Sequence, residues 1–191
     1  MQLFAKDVFK FKEQLKTVRN VQGICLCGLF VASYVVLSLF NIRISEFLEF
    51  RIGFLALAAA GFYGGPIMGM SVGIAGDIIS YFVVPNSAPF FPGFTLTYAL
   101  LGFLFGLILY RAKITPLRAV FASLAEFLVS CTLTTCWLYL MYGMDLKYLL
   151  TIRIFKNMIS FVVYAILLYV FLKAFSKVLN VTHTPAKAAE S

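Results

Sequence analysis

Charge is scarce in this chain: Asp, Glu, Lys and Arg make up 13% of its 191 residues, about half the share found in an ordinary soluble domain. So small an ionic surface excludes a globular protein held in solution by its charged exterior. Histidine is rarer still. Its one copy, His183, lies near the end of the sequence, which leaves little for imidazole-based acid–base or metal chemistry. The four cysteines, Cys25, Cys27, Cys131 and Cys136, all fall within apolar runs and read as small packing residues. Cys25 and Cys27 face different sides of one helix, which disfavours a disulfide between them. No GxxxxGK(S/T) motif occurs, so the chain has no phosphate cradle of the Walker kind and supplies no nucleotide energy itself. Of the eight Asp and Glu residues, only Asp77 and Glu126 lie inside apolar runs. Neither stands in a GxGD-like context or beside a nucleophile and its base, which disfavours intramembrane hydrolysis. No cofactor and no metal are implied.

What fills the chain instead is apolar: 62% hydrophobic and 17% aromatic residues, with a mean hydropathy of +0.94. That is the composition of an integral membrane protein. Hydropathy predicts six spans, Val21–Phe40, Ile52–Gly69, Met70–Val84, Phe94–Tyr110, Leu117–Met141 and Leu150–Phe175, hence an all-α bundle of six transmembrane helices in the lipid bilayer. The second and third follow each other almost without a loop. Gly64, Gly65 and Pro66, then Gly69, Gly73 and Gly76, predict both a tight turn and a close helix contact there.

The net charge of +8 is mostly topology. Lys6, Lys10, Lys12, Lys16 and Arg19 precede the first span, Arg111, Lys113 and Arg118 fall between the fourth and fifth, and Lys173, Lys177 and Lys187 come at the end or after the sixth. In the remaining loops Arg43 and Arg51 are offset by Glu46 and Glu49, and Lys147 by Asp145. The positive-inside rule therefore places both termini in the cytoplasm, and no nucleic acid is implied. Residues 1–19, with Leu3, Phe4, Val8, Phe9, Phe11 and Leu15 among lysines, predict an amphipathic segment along the inner membrane surface. A cleaved signal peptide is not expected, because the apolar run after Arg19 is long and lacks a small-residue cleavage pattern. Residues 20–178 form the membrane domain, and residues 179–191 a cytoplasmic tail that frays.

Polar residues inside the spans fall on faces. Arg153, Lys156, Asn157, Ser160 and Tyr164 recur at helical spacing along one face of span six. Lining a cavity and, for Lys156, snorkelling to headgroups both remain open. Glu126, Ser130, Thr134 and Trp137 are expected on one face of span five, the alternative being an aromatic-belt tryptophan with hydroxyls bonded to their own helix. Asp77, with Ser80 and Tyr81 on adjacent turns of span three, costs roughly 2.5 to 3.5 kcal/mol to insert and so marks a functional or ion-paired position. The loop beyond it, Pro85 to Phe94, contains three prolines, Asn86, Ser87, Phe90 and Phe91 and leads into Thr95, Thr97 and Tyr98. It reads as a stiff aromatic lid or as an interfacial anchor. On span one, Gly28 and Ala32 form a small-residue pair that suits internal packing and an outside helix equally well.

The stretch EFRIGFLALAAAGFYGGPIMGMSVGIAGDIISYF, the loop PFFPGFTLTYALLGFLFGLILYR and RIFKN at the start of the last span closely resemble the folate-family substrate-binding S components of energy-coupling factor (ECF) vitamin transporters. The resemblance covers nearly the whole hydrophobic chain. It implies an S-component bundle in a bacterial cell membrane that binds folate or a reduced folate in an outward-facing cavity. It also implies a transmembrane coupling subunit (EcfT-like) and two ATPase subunits (EcfA-like) as partners, with toppling in the membrane to release ligand. Gly28 and Ala32 match the family's AxxxA contact with the coupling subunit, glycine replacing the first alanine.

Under that resemblance Asp77 grips the amino-pyrimidinone edge of the pterin, while Phe90, Phe91 or Trp137 stack on its rings. Arg153, with Arg51 or Lys156, meets the tail carboxylates. The leading contacts are Asp77, Asn86, Thr95, Tyr98, Arg153 and Asn157, with Tyr81, Thr97 and Glu126 also candidates. Alternatives are an S component for another vitamin such as pantothenate, a self-sufficient secondary transporter coupled through Glu126, and a structural subunit that binds no small molecule.

Overall fold

The computed structural model describes residues 11–40, 42–45, 48–50, 52–84, 89–110, 112, 114–143 and 146–183. Its elements run α1 (Phe11–Arg19), α2 (Val21–Leu39), β1 (Ile42–Ser45), β2 (Leu48–Phe50), α3 (Phe54–Val83), α4 (Pro92–Leu109), α5 (Pro116–Val129), a π-helical turn (Ser130–Thr134), α6 (Thr135–Tyr142) and α7 (Leu146–His183). Local chemistry sets several of these limits. Pro92 and Pro116 open α4 and α5, where a missing N–H costs nothing. Gly143, at φ 61°, closes α6 in the left-handed region. The strands pair antiparallel, Ile42 opposite Phe50 and Arg43 opposite Glu49, a small hairpin where the sequence suggested only a loop.

Five helical stretches among the described residues are long and apolar enough to cross a membrane. The count differs from six because the second and third expected spans form one element of 30 residues, α3, broken at Gly65. The break falls before the expected Gly69–Met70 junction for a local reason. Pro66 has no N–H to continue the helix and disfavours helical geometry in the residue before it. Gly65 takes φ 84°, ψ −171°, a conformation open to glycine alone.

Glycines also set the closest packing in the molecule. A Cβ on Gly61 would stand 2.7 Å from the Gly106 nitrogen, and Cβ atoms on Gly69 and Gly102 would each run into the other residue's carbonyl oxygen. Gly73 would meet the Tyr98 carbonyl in the same way. The backbones of α3 and α4 therefore touch along Gly61, Gly69 and Gly73, making this the most extensive helix pair. Around that seam lies an apolar core in which Leu57, Met68, Val72, Phe105, Leu168 and Leu172 are fully buried, and Phe54 packs on Tyr164 with centroids 4.4 Å apart.

The corners at the α1 end of the bundle are tied by polar side chains. Arg118 Nη1 donates to the Ile108 carbonyl at 3.3 Å, bracing the α4–α5 connection. Helix α1 packs against α2 and α3 and buries Gln14, whose carboxamide lies 3.0 Å from where a Gly65 Cβ would stand. The amphipathic segment thus seats one side chain on the bend of α3.

Gly102→Leu is expected to force the α3–α4 backbones apart at a cost on the order of 3 kcal/mol, read as a fall of about 10 °C in the melting temperature in detergent. Gly28→Leu, where a Cβ would meet nothing within 4 Å, is expected to leave that temperature unchanged.

Candidate ligand-binding site

One helical turn beyond Gly73, the seam delivers the start of α4 to the buried carboxylate of Asp77. Thr95 Oγ1 donates to Asp77 Oδ2 at 2.7 Å, a well-formed O–H···O hydrogen bond. Ser80 is turned back to the Asp77 carbonyl at 3.0 Å, within its own helix. Aromatic pairs form on the neighbouring turns of α3 and α4. Tyr81 meets Phe90 edge-on at 5.1 Å, and Tyr98 meets Tyr34 edge-on at 6.1 Å. Tyr34 itself fits closely because α3 has glycine at position 76, where a Cβ would lie 2.7 Å from its ring.

A second cluster joins α4 to α6. Trp137 Nε1 donates to Thr97 Oγ1 at 3.0 Å, and the Thr97 hydroxyl donates to the Gly93 carbonyl at 3.0 Å. The Trp137 ring packs against Phe91 at 5.6 Å. This corrects the aromatic-belt reading, since the indole N–H is directed into the bundle.

The third cluster lies between α5, the π-turn and α7. On α7 the polar face inferred from spacing is the buried one: Arg153 is 5% exposed, Asn157 3%, Ser160 1% and Tyr164 5%, with Lys156 half-buried at its edge. Ser130 Oγ donates to Asn157 Oδ1 at 3.4 Å, and Asn157 Nδ2 donates to Cys131 Sγ at 3.1 Å. Glu126, partly buried on α5, feels the charges of both Lys156 and Arg153.

The expected single face from Glu126 to Trp137 is divided. An α-helix turns about 100° per residue, and the extra residue accommodated by the π-turn at Ser130–Thr134 rotates the helix beyond it by about that much. Ser130 consequently points at α7 and Trp137 at α4. Cys131, taken from sequence for a packing residue, is a polar partner of Asn157. Tyr34 carried no signal beyond its apolar neighbours.

Arg51 and Asn86 lie outside the described residues. Gly28 and Ala32 are exposed on the outer face of α2, and no Gly28 neighbour comes within 4 Å of a built Cβ, so that pair does not pack internally. Ala32 also borders an apolar groove of about 450 Å³, lined by Phe30, Ser33, Ala59 and Phe175 among others. The groove shares no lining residue with the three polar clusters. Among the described residues no group of His, Cys, Asp and Glu side chains is placed to hold a metal ion, and the four thiols are free.

Residues 22–172 match the family of ECF transporter substrate-specific components. The folate transporter FolT of Clostridium novyi (strain NT) is 32% identical over 118 residues, spanning 61% of this chain and 68% of that protein. The crystal structure of FolT bound with folic acid superimposes with a TM-score of 0.72 at 30% identity, covering 78% of this chain and 92% of that one.

Asp77→Leu leaves the Thr95 hydroxyl without its acceptor and is expected to cost about 1–3 kcal/mol. Asp77→Asn keeps an acceptor and is expected to cost under about 1 kcal/mol. Thermal unfolding without ligand ranks the two, and equal melting temperatures would deny the contact any role in stability.

Proposed function

This chain belongs to the family of ECF transporter substrate-specific components, and on that premise we propose that it is the high-affinity folate-binding subunit of an ATP-driven vitamin importer. It is a multi-pass membrane protein and a transporter component rather than an enzyme. The observation that carries the ligand assignment is the likeness, across most of both chains, to a FolT structure that holds folic acid. The disposition of charge supports it. Folate has a planar amino-pyrimidinone edge at one end and two carboxylates at the other. The site has a buried carboxylate in an aromatic setting at α3–α4 and a cationic, largely buried face on α7.

In the proposed pose Asp77 accepts two hydrogen bonds from the pterin edge while Thr95 holds its Oδ2 from the other side. Tyr81, Phe90 and Tyr98 supply ring faces, each worth on the order of 1–3 kcal/mol by analogy with stacked bases. Arg153 and Lys156 receive the tail carboxylates through charge-assisted bonds, Arg51 joins them, and Asn157 orients this end through Ser130 and Cys131. Asn86 completes the contacts from the loop. Both termini face the cytoplasm.

The chain contains no P-loop, so the energy comes from partners: a transmembrane coupling subunit and two cytoplasmic ATPases. The exposed Gly28–Ala32 strip offers the coupling subunit a close helix contact, and its open outer face favours this use over internal packing. Toppling in the membrane would then release folate inside.

Calorimetric titration of the purified protein is expected to give a Kd for folate below about 1 μM and no heat with pantothenate. Arg153→Ala is expected to weaken folate about ten- to a hundredfold, the worth of a charge-assisted hydrogen bond. A folded protein that binds pantothenate and not folate would overturn the assignment. So would folate uptake by proteoliposomes containing this chain alone, since that outcome belongs to a secondary transporter.

A further inference from the structure

Two of the residues that sequence pointed to as ligand contacts, Thr97 and Trp137, have their polar groups already engaged. An indole has one donor and no acceptor, and that donor is bound to Thr97 Oγ1 at 3.0 Å. Thr97 is 4% exposed, and its one proton goes to the Gly93 carbonyl at 3.0 Å. The Trp137 ring is engaged as well: it packs on Phe91 at 5.6 Å and stands 2.6 Å from where a Gly93 Cβ would be. One side chain on α6 therefore holds Phe91, Gly93 and Thr97, which lie within and on either side of the opening turn of α4.

That turn also contains Thr95, the residue that bonds Asp77. Thr95 and Thr97 are two positions apart, about 200° around the helix, so the start of α4 is gripped from opposite sides, by α3 through Asp77 and by α6 through Trp137. Immediately before α6, the π-turn contributes Ser130 and Cys131 to Asn157 on α7. The chain of contacts thus runs from α7 through the π-turn and α6 to α4, and from there to the carboxylate.

We infer that Trp137 and Thr97 form a latch that positions Thr95, and through it Asp77, for the ligand instead of touching the ligand themselves. The ligand readout of this inference rests on the folate reading; the latch itself does not. Without the latch the opening turn of α4 keeps its backbone bonds but loses its register against α6, so the orientation of Asp77 is no longer fixed.

A double-mutant cycle with a spectroscopic arm tests it. Thr97→Val and Trp137→Phe are each expected to weaken folate about fivefold, the worth of one net hydrogen bond, and the double variant no further than the weaker single one. Thr97→Ser is expected to restore the affinity. Trp137 is the one tryptophan in the chain, so its emission reports the bond directly with no ligand present: a blue shift in Thr97→Val and recovery in Thr97→Ser. Additive losses in the cycle would overturn the latch, because they mean that Trp137 contacts folate independently. An unshifted emission in Thr97→Val would overturn it too. If the unmodified protein fails to bind folate, the ligand reading falls and the emission arm alone decides the latch. The Thr97 variants suffice for that arm even if Trp137→Phe does not fold.

Discussion

The Asp77 end of this bundle depends on how closely the backbones of α3 and α4 approach. Gly61, Gly69 and Gly73 on one helix meet Gly106, Gly102 and the Tyr98 carbonyl on the other with no room for a single methyl group. In lipid, no hydrophobic force pulls two apolar helices together, so packing of this kind supplies the association. Its consequence is positional. With the backbones in contact, the first turn of α4 can lie against the last turns of α3, and a threonine hydroxyl reaches a carboxylate that the membrane would otherwise disfavour. Larger residues along the seam would hold the helices apart and separate Asp77 from Thr95.

Several other polar groups are likewise satisfied inside the protein. Asn157 uses its carboxamide on Ser130 and Cys131, Thr97 its hydroxyl on Gly93, and Glu126 sits in the field of two α7 cations. Meanwhile the outer faces are continuous hydrocarbon: Phe155, Met158, Ile159, Val162 and Ile166 are all exposed on α7. Such an arrangement keeps ionisable groups at membrane depth without exposing them to lipid. It also places Asp77 on α3 apart from Arg153 and Lys156 on α7, the separation on which the proposed folate pose rests.

How far the sequence revealed this varied with the regularity of the backbone. Where α7 is an uninterrupted helix, counting residues was enough: Arg153, Asn157, Ser160 and Tyr164 share the buried face that their spacing implied. The same counting failed along span five, because the π-turn leaves no mark in residue type and rotates Trp137 away from Glu126. The break in α3 was legible as a break but displaced, because the glycines after Pro66 resemble turn residues although they serve the seam with α4. The hairpin of Ile42–Ser45 and Leu48–Phe50 was hidden by its mixture of charged and apolar residues. From spacing alone Gly28 and Ala32 suited internal packing and an outside helix equally, and it was the family resemblance that pointed to the coupling subunit. The empty space around Gly28 speaks against internal packing.

The central claim is that folate lies with its pterin edge on Asp77 and its tail carboxylates on the α7 cations. A crystal structure of the protein with folate bound tests it most directly. The account predicts pterin nitrogens within about 3.2 Å of the Asp77 carboxylate, Thr95 still bonded to Oδ2, and the glutamate tail at Arg153. Folate bound in the reverse direction, or seated away from Asp77, would contradict it.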